Sequence, residues 1–454
     1  MSWNYFESNI HNFSWNHIPR PCIERDDRCY SLLLKTTDFE DWRELIVNFG
    51  QCIYETSSQI PFYKSCKGDQ DYVINAIENN IQIVFEEQTN ENNGKYIEDE
   101  TDSVDSNHEE EGTSDEDKEE ELKFMSGNAA NEILTMSYKN HSAYILRGNK
   151  LGIYHSSSSN ISGRSSLYFS SSTSFDETIS ARQAMLYRDE SSYLVLKQDN
   201  RVAHYDIEHG KIVDEWGIDD DNDALVSLAP TSKYAQITNE PTLIGITSNA
   251  VFRIDPRSPE KVVQQQCKRY MIKTDFSSLT TSDVGHVIIG SHRGDIRLFD
   301  QLGQMGKTTL PPLGGSVQSL DVSADGRYVL ATCQHYLMLY DVMHKDYDDQ
   351  QQQHILGYKK MFGMDDKPVP NILKIRPEQI MLMDEGPISF TKATFGTNRY
   401  NNRNIITSTG PYVLEWDMID ISKGEHYPCR MQKFDDHVVT VTYADNNIVV
   451  VKRN

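Results

Sequence analysis

Asp295-Ile-Arg-Leu-Phe-Asp300 is a short run in which apolar side chains alternate with polar ones before an aspartate closes the segment. The pattern, closed by Asp or His, recurs at Lys150-Leu-Gly-Ile-Tyr-His155, Arg201-Val-Ala-His-Tyr-Asp206, Ala250-Val-Phe-Arg-Ile-Asp255, Tyr336-Leu-Met-Leu-Tyr-Asp341 and Tyr412-Val-Leu-Glu-Trp-Asp417. Alternation with period two marks β-strands. The closing residues stand at 155, 206, 255, 300, 341 and 417, giving steps of 51, 49, 45, 41 and 76. A seventh run is Asn447-Ile-Val-Val-Val-Lys452. Other apolar runs precede most of these, such as His286-Val-Ile-Ile-Gly290 and Tyr328-Val-Leu-Ala-Thr332. Three or four strands in about 40–50 residues is the period of a propeller blade. The chain is therefore expected to be mainly β, with a seven-bladed β-propeller over residues 124–454.

The turns agree with this reading. Ser323-Ala-Asp325-Gly326 and Gly410-Pro411 separate apolar runs, and Asp325, Gly326, Gly410 and Pro411 are read as structural turn residues. Trp416-Asp417 and Gly285-His286 are single remnants of the dipeptides that mark WD repeats. The long step before 417 is assigned to a polar loop, 343–366. The serine-rich stretch 156–174 is read as a second exposed loop. Glu132–Tyr138 is expected to supply a missing strand to the last blade, because closure would remove open sheet edges.

Ahead of the propeller lie two other zones. Residues 1–88 read as a small α+β module, with a strand at Cys29–Lys35. A helix at Asp38–Glu55 would have Thr37 as N-cap and Phe39, Trp42, Leu45, Ile46, Phe49 and Ile53 on one face. A shorter helix is expected at Asp69–Asn79. Residues 89–123 form an acidic linker: 15 acidic residues and two lysines between Glu91 and Glu121 account for −13 of the net −24. With almost no apolar side chains, it is expected to be disordered.

The propeller runs resemble the vacuolar import and degradation protein twenty-seven family. The resemblance is carried by 295–300, Lys307-Thr-Thr-Leu-Pro311, Leu320-Asp-Val-Ser-Ala-Asp-Gly-Arg327, Lys367-Pro-Val-Pro370, Ile388-Ser-Phe390 and Thr407-Ser-Thr-Gly-Pro-Tyr412. It implies a WD-repeat-like propeller preceded by a pleckstrin-homology-like domain, and plant cypro-type proteins are similar. Only some 28 residues precede the Cys29 strand, so the N-terminal part is expected to be a shortened, partial form of that domain. The family's fungal namesake implies a role linked to vesicle-borne vacuolar import and degradation of the gluconeogenic enzyme fructose-bisphosphatase.

The residues themselves point to binding rather than catalysis. Gly303-Gln-Met-Gly-Lys-Thr308 has Gln at position 301 where a phosphate loop needs Gly, and prolines follow it instead of a helix. His335, His344 and His354 lack metal-ligand spacing. No nucleophile elbow is found, and the acidic pairs sit in polar loops. No catalytic, cofactor or metal residue is expected. A net charge of −24 opposes nucleic-acid binding. Seven scattered cysteines and no apolar run long enough to span a membrane suggest a cytoplasmic or nuclear chain. The favoured function is a non-catalytic scaffold for a protein partner. The alternatives are a membrane-peripheral trafficking adaptor and, behind it, a propeller hydrolase. Arg147, Lys150, Arg253, Arg293, Arg297 and Arg327 recur at blade positions and are the candidate partner-binding residues, as a basic ring at one channel mouth.

Overall fold

The computed structural model describes residues 39–79, 115–126, 129–139, 142–157, 166–174, 180–218, 224–348, 353–363, 366–376, 379–380, 383, 388–396, 404–444 and 447–453. Six four-stranded antiparallel sheets follow one another along the chain: blade 1 over 131–174, blade 2 over 181–216, blade 3 over 227–269, blade 4 over 276–310, blade 5 over 319–373 and blade 6 over 394–433. Blade 5 is interrupted between its third and fourth strands by a hairpin, Met343–Asp348 with Gln353–Leu356.

Among the described residues the four-stranded blades number six rather than the seven expected. The last repeat is a two-stranded hairpin, Val438–Ala444 with Asn447–Lys452, which stands between blade 6 and blade 1. Counting third strands took this hairpin for a full blade. Nor does Asn131–Met136 complete it, because that strand pairs with Ala143–Arg147 as the first strand of blade 1. At the seam, where this strand packs along the hairpin, Asn131 donates its backbone N–H to Arg453 O (3.0 Å) and its side-chain amide to Lys452 O (2.8 Å).

Each blade packs on both of its faces, so alternation here sorts side chains between two interblade cores rather than between core and water. In the third strand of blade 5, Met338 and Tyr340 enter the core shared with blade 4, while Leu337 and Leu339 enter the core shared with blade 6. Where two blades approach closely, glycine is required. A Cβ at Gly290 of blade 4 would lie 2.5 Å from Val317, which leads into blade 5.

The expected N-terminal strand lies outside the described residues. The two helices are present: α1 at Phe39–Ser58 and α2 at Lys67–Asn79. The α1 face read from the sequence is the buried one, with Ile46 and Ile53 at 0% exposure. These side chains do not form a separate module. They join Val73, Ala76 and Ile77 of α2 in the core that also holds Leu310 of blade 4 and Tyr340 and Val342 of blade 5. Lys367 pairs with Asp69 at 2.6 Å, and the Tyr72 hydroxyl donates to Pro368 O at 2.9 Å.

Three further expectations change. Residues 115–123, assigned to the disordered linker, belong to a helix, α3 (Asp115–Met125). Near its end, Phe124 is buried against Gly152, Tyr154 and Phe169 of blade 1. Most of the serine-rich stretch is no loop, since Ser166–Ser174 is the fourth strand of blade 1, paired with Lys150–Ser157. Small hydroxyl side chains suit an outer strand with one face in water. The described part of the 343–366 segment does not leave the surface. Tyr358 stacks on His286 (4.5 Å) and donates to Gly326 O (3.0 Å), so the segment lies over the ends of blades 4 and 5.

Because Ile53 is fully buried in the core that joins α1 to the propeller, Ile53→Ala is expected to cost about 2–5 kcal/mol. Urea denaturation should show one cooperative transition at a lower midpoint, with no separate early unfolding of the helices.

Candidate interaction surfaces

In an antiparallel blade, the first-to-second and third-to-fourth turns fall on one face of the ring, here the lower face. The second-to-third turns and the links between blades fall on the upper face. This geometry divides the six candidate basic residues. Arg147, Lys150, Arg293 and Arg297 lie towards the upper face, and Arg253 and Arg327 towards the lower, so they form no single ring. Most are also engaged. Arg147 is buried and donates to Asn131 Oδ1 and Met125 O, both at 3.2 Å, and Lys150 donates to Lys123 O. Both hold α3 to blade 1. Arg253 donates to Thr242 at 3.3 Å. Arg297 pairs with Asp295 (3.0 Å) and lies over Tyr270 (4.7 Å). Arg327 forks onto Asp341 at 2.6 Å, which holds its guanidinium above the ordinary range. Arg293 is half-buried in the second-to-third turn of blade 4, with its N–H on Ser291 Oγ at 3.2 Å.

The turn residues are positioned by simple chemistry. Asp325 accepts from Ser323 Oγ (2.5 Å) and Arg327 N (3.1 Å), while Gly326 adopts φ +76° and Gly410 φ +53°. Pro411, between Gly410 and the third strand of blade 6, accepts from Phe434 N at 2.8 Å.

Around the axis the structure assembles a polar network that sequence reasoning missed. Asp321, in the first strand of blade 5, accepts from Lys233 Nζ of blade 3 at 2.9 Å and from Phe395 N of blade 6 at 2.8 Å. Lys233 also donates to Val322 O. Lys392, beside the first strand of blade 6, is water-accessible yet enclosed by the ring. Desolvation lowers its amine pKa; Asp321 opposes this and Lys233 adds to it. Glu190 plays a similar part between blades 1, 2 and 3. Its carboxylate accepts from Ser137 Oγ, from Tyr138 N (2.9 Å) and from Gln236 Nε2 (3.1 Å). The available signal was an aspartate inside an apolar strand, Leu320-Asp321-Val322, which alternation alone treats as solvent-facing.

Two other features bear on binding. Val284 (75% exposed), Met305 (65%) and Met361 (68%) are large apolar side chains on lower-face turns of blade 4 and on the blade 5 insertion beside them. Lys374, after the last strand of blade 5, is buried, with Tyr427 beside it at 6.0 Å. Burial lowers its amine to about 8. Among the described residues, no group of His, Cys, Asp or Glu could hold a metal ion, and no helix is long and apolar enough to cross a membrane.

A ring of four-stranded antiparallel blades joined first strand to first strand about an axis defines a WD40-like β-propeller. The β-propeller domain of Cps50 (Swd1) from Myceliophteria thermophila is similar in fold, with TM-score 0.50 and 11% identity over 72% of this chain and 94% of that one. The family follows from the sequence comparison: residues 129–454 match the VID27 C-terminal WD40-like domain, and the chain belongs to the VID27 family. Vacuolar import and degradation protein 27 of Schizosaccharomyces pombe is 32% identical over 472 residues, covering 99% of this chain and 56% of that protein. The Saccharomyces cerevisiae protein of the same name is 33% identical over 343 residues, covering 71% and 43%. The chain thus spans about half the length of the curated relatives it matches.

Asp321→Asn would leave Lys233 without its counter-charge in a nearly water-free site, and a loss of about 3 kcal/mol is expected. The double change with Lys233→Met should recover much of that loss in a urea-unfolding cycle. Lys374 gives a pH effect of known sign. Its folded pKa lies near 8, below the 10.5 of the free amine. The unfolded chain therefore binds the extra proton between those values, and stability contributed at this site rises with pH across that window. Below it the cost is constant. The stability advantage of Lys374→Met over the unsubstituted chain should shrink by about 2 kcal/mol between pH 7 and pH 10.

Proposed function

We propose that the chain is a non-catalytic protein-interaction scaffold whose partner docks on the lower face at blades 4 and 5. The observation that carries this is the group of exposed apolar side chains, Val284, Met305 and Met361, on one face of a ring whose own cores are filled. Exposed apolar side chains grouped on one face, rather than scattered singly, are a mark of protein contact. The insertion after the third strand of blade 5 builds this area up, with Thr308 Oγ1 on Gly357 O at 2.7 Å holding it to blade 4. Propellers serve many functions, so the fold alone does not choose among them. Within this proposal, the partner is a protein handled in vacuolar import and degradation, the process for which the two relatives are named. The axial network acts as a structural tie, because its carboxylates are taken up by lysines, backbone amides and an amide side chain of neighbouring blades. The candidates Arg253 and Arg327 flank this face, whereas Arg147 and Lys150 serve α3.

Proximity labelling with the intact chain is expected to recover a defined set of proteins. Val284→Asp with Met305→Asp and Met361→Asp should lose most of that set while the melting temperature stays within a few degrees, since exposed positions contribute about 0.5 kcal/mol or less. An unchanged set would sink the lower-face assignment.

A further inference from the structure

The upper face carries a projection that the lower-face proposal does not use. The end of the fourth strand of blade 3 and the link to blade 4 read Lys268-Arg-Tyr-Met-Ile-Lys273. Met271 is 101% exposed and Ile272 76%, so two adjacent large apolar side chains stand in water at the tip of the link. The tip is nevertheless a formed structure. Tyr270 N donates to Asn249 O (2.9 Å), and the Tyr270 ring meets Phe276 edge-on at 5.6 Å under the Arg297 guanidinium. Thr274 Oγ1 donates to Ser248 O (2.9 Å), and His292 N to Asp275 O (2.8 Å), tying the link to the turns on either side.

The charge around this tip is opposite to that of the chain. Lys268 and Arg269 end the fourth strand of blade 3, Lys273 lies on the link itself, and Arg293 and Arg297 lie on the adjoining turn and strand of blade 4. These five cations stand against two carboxylates, Asp275 and Asp295, a local +3 in a chain of −24. An apolar tip ringed by Lys and Arg is the arrangement that enters the headgroup–acyl boundary of an anionic bilayer, where buried apolar area and lipid charge act together.

We infer that the link between blades 3 and 4 docks the propeller on an anionic lipid surface, with Met271 and Ile272 entering the bilayer and the surrounding cations facing lipid phosphates and carboxylates. A convex tip of two residues suits a soft surface that closes around it. The overall −24 charge repels an anionic bilayer everywhere else, so the same contact also sets the orientation, with the lower face turned away from the membrane and open to a partner. This inference does not depend on the lower-face proposal.

The test is co-sedimentation of the intact chain with phosphatidylcholine vesicles, with and without about one-third phosphatidylserine. Binding is expected only to the anionic vesicles, and it should weaken as salt rises and the Debye length shortens. Met271→Asp with Ile272→Asp should abolish it. Lys268→Glu with Lys273→Glu should reduce it at least tenfold, from about fivefold per cation. An unshifted thermal melt for each variant shows that the fold is kept. The inference is overturned if neither vesicle binds, if the loop variants bind as the unsubstituted chain does, or if a polyglutamate peptide but no vesicle binds through the loop. Val284→Asp with Met305→Asp should leave vesicle binding unchanged, which separates failure here from failure of the partner face.

Discussion

A single carboxylate holds much of the ring together. Asp321 belongs to blade 5 but accepts a proton-bearing group from blade 3 and another from blade 6. In water such contacts would contribute little. Here the side chain is only 12% exposed and its lysine partner 16%. Two desolvated charges are costly separately and tolerable together. The arrangement therefore constrains more than it stabilises: blades 3, 5 and 6 must be in register for either charge to be satisfied. Glu190 makes the equivalent demand on blades 1, 2 and 3 through hydroxyl, backbone and amide donors.

Between those ties, the blades behave as a stack. Every central strand is buried on both faces, and Gly290 admits the start of the neighbouring blade where a methyl group would collide with Val317. The helices extend the same principle outward. The packing of α1 and α2 on blades 4 and 5 gives the propeller a covered flank, next to the insertion on its lower face. The upper face is left to the short turns and links, and the charges there are local. The two faces thus differ in chemistry: exposed apolar groups and an added layer below, and a cationic apolar tip above.

The propeller was legible because its repeat lies in local pattern. The closing residues 155, 206, 255, 300, 341 and 417 all fall at or beside the ends of third strands. The amphipathic α1 face was legible for the same reason. The blade count was not, because a terminal hairpin has the same alternation as a blade's inner strands, and only pairing distinguishes them. Linker composition concealed α3, whose buried anchor, Phe124, is specified by Gly152 and Phe169 further along the chain. The basic residues do not form one ring, because the end of the blade each one reaches depends on strand direction and on its place along a strand rising about 3.3 Å per residue or in a turn, as for Arg293 and Arg327. Lys233, Asp321 and Lys392 meet only after three blades have closed on one axis, and no window of sequence contains them together.

The salt link between Asp69 and Lys367 spans 298 positions. During synthesis the helix pair leaves the ribosome long before blades 4 and 5 exist. At about 5–20 residues per second, that interval runs from roughly fifteen seconds to a minute. Throughout it, Ile46, Ile53 and Val73 have no propeller surface to cover them. The helix pair thus waits through most of the propeller's synthesis for the surface that covers its apolar face.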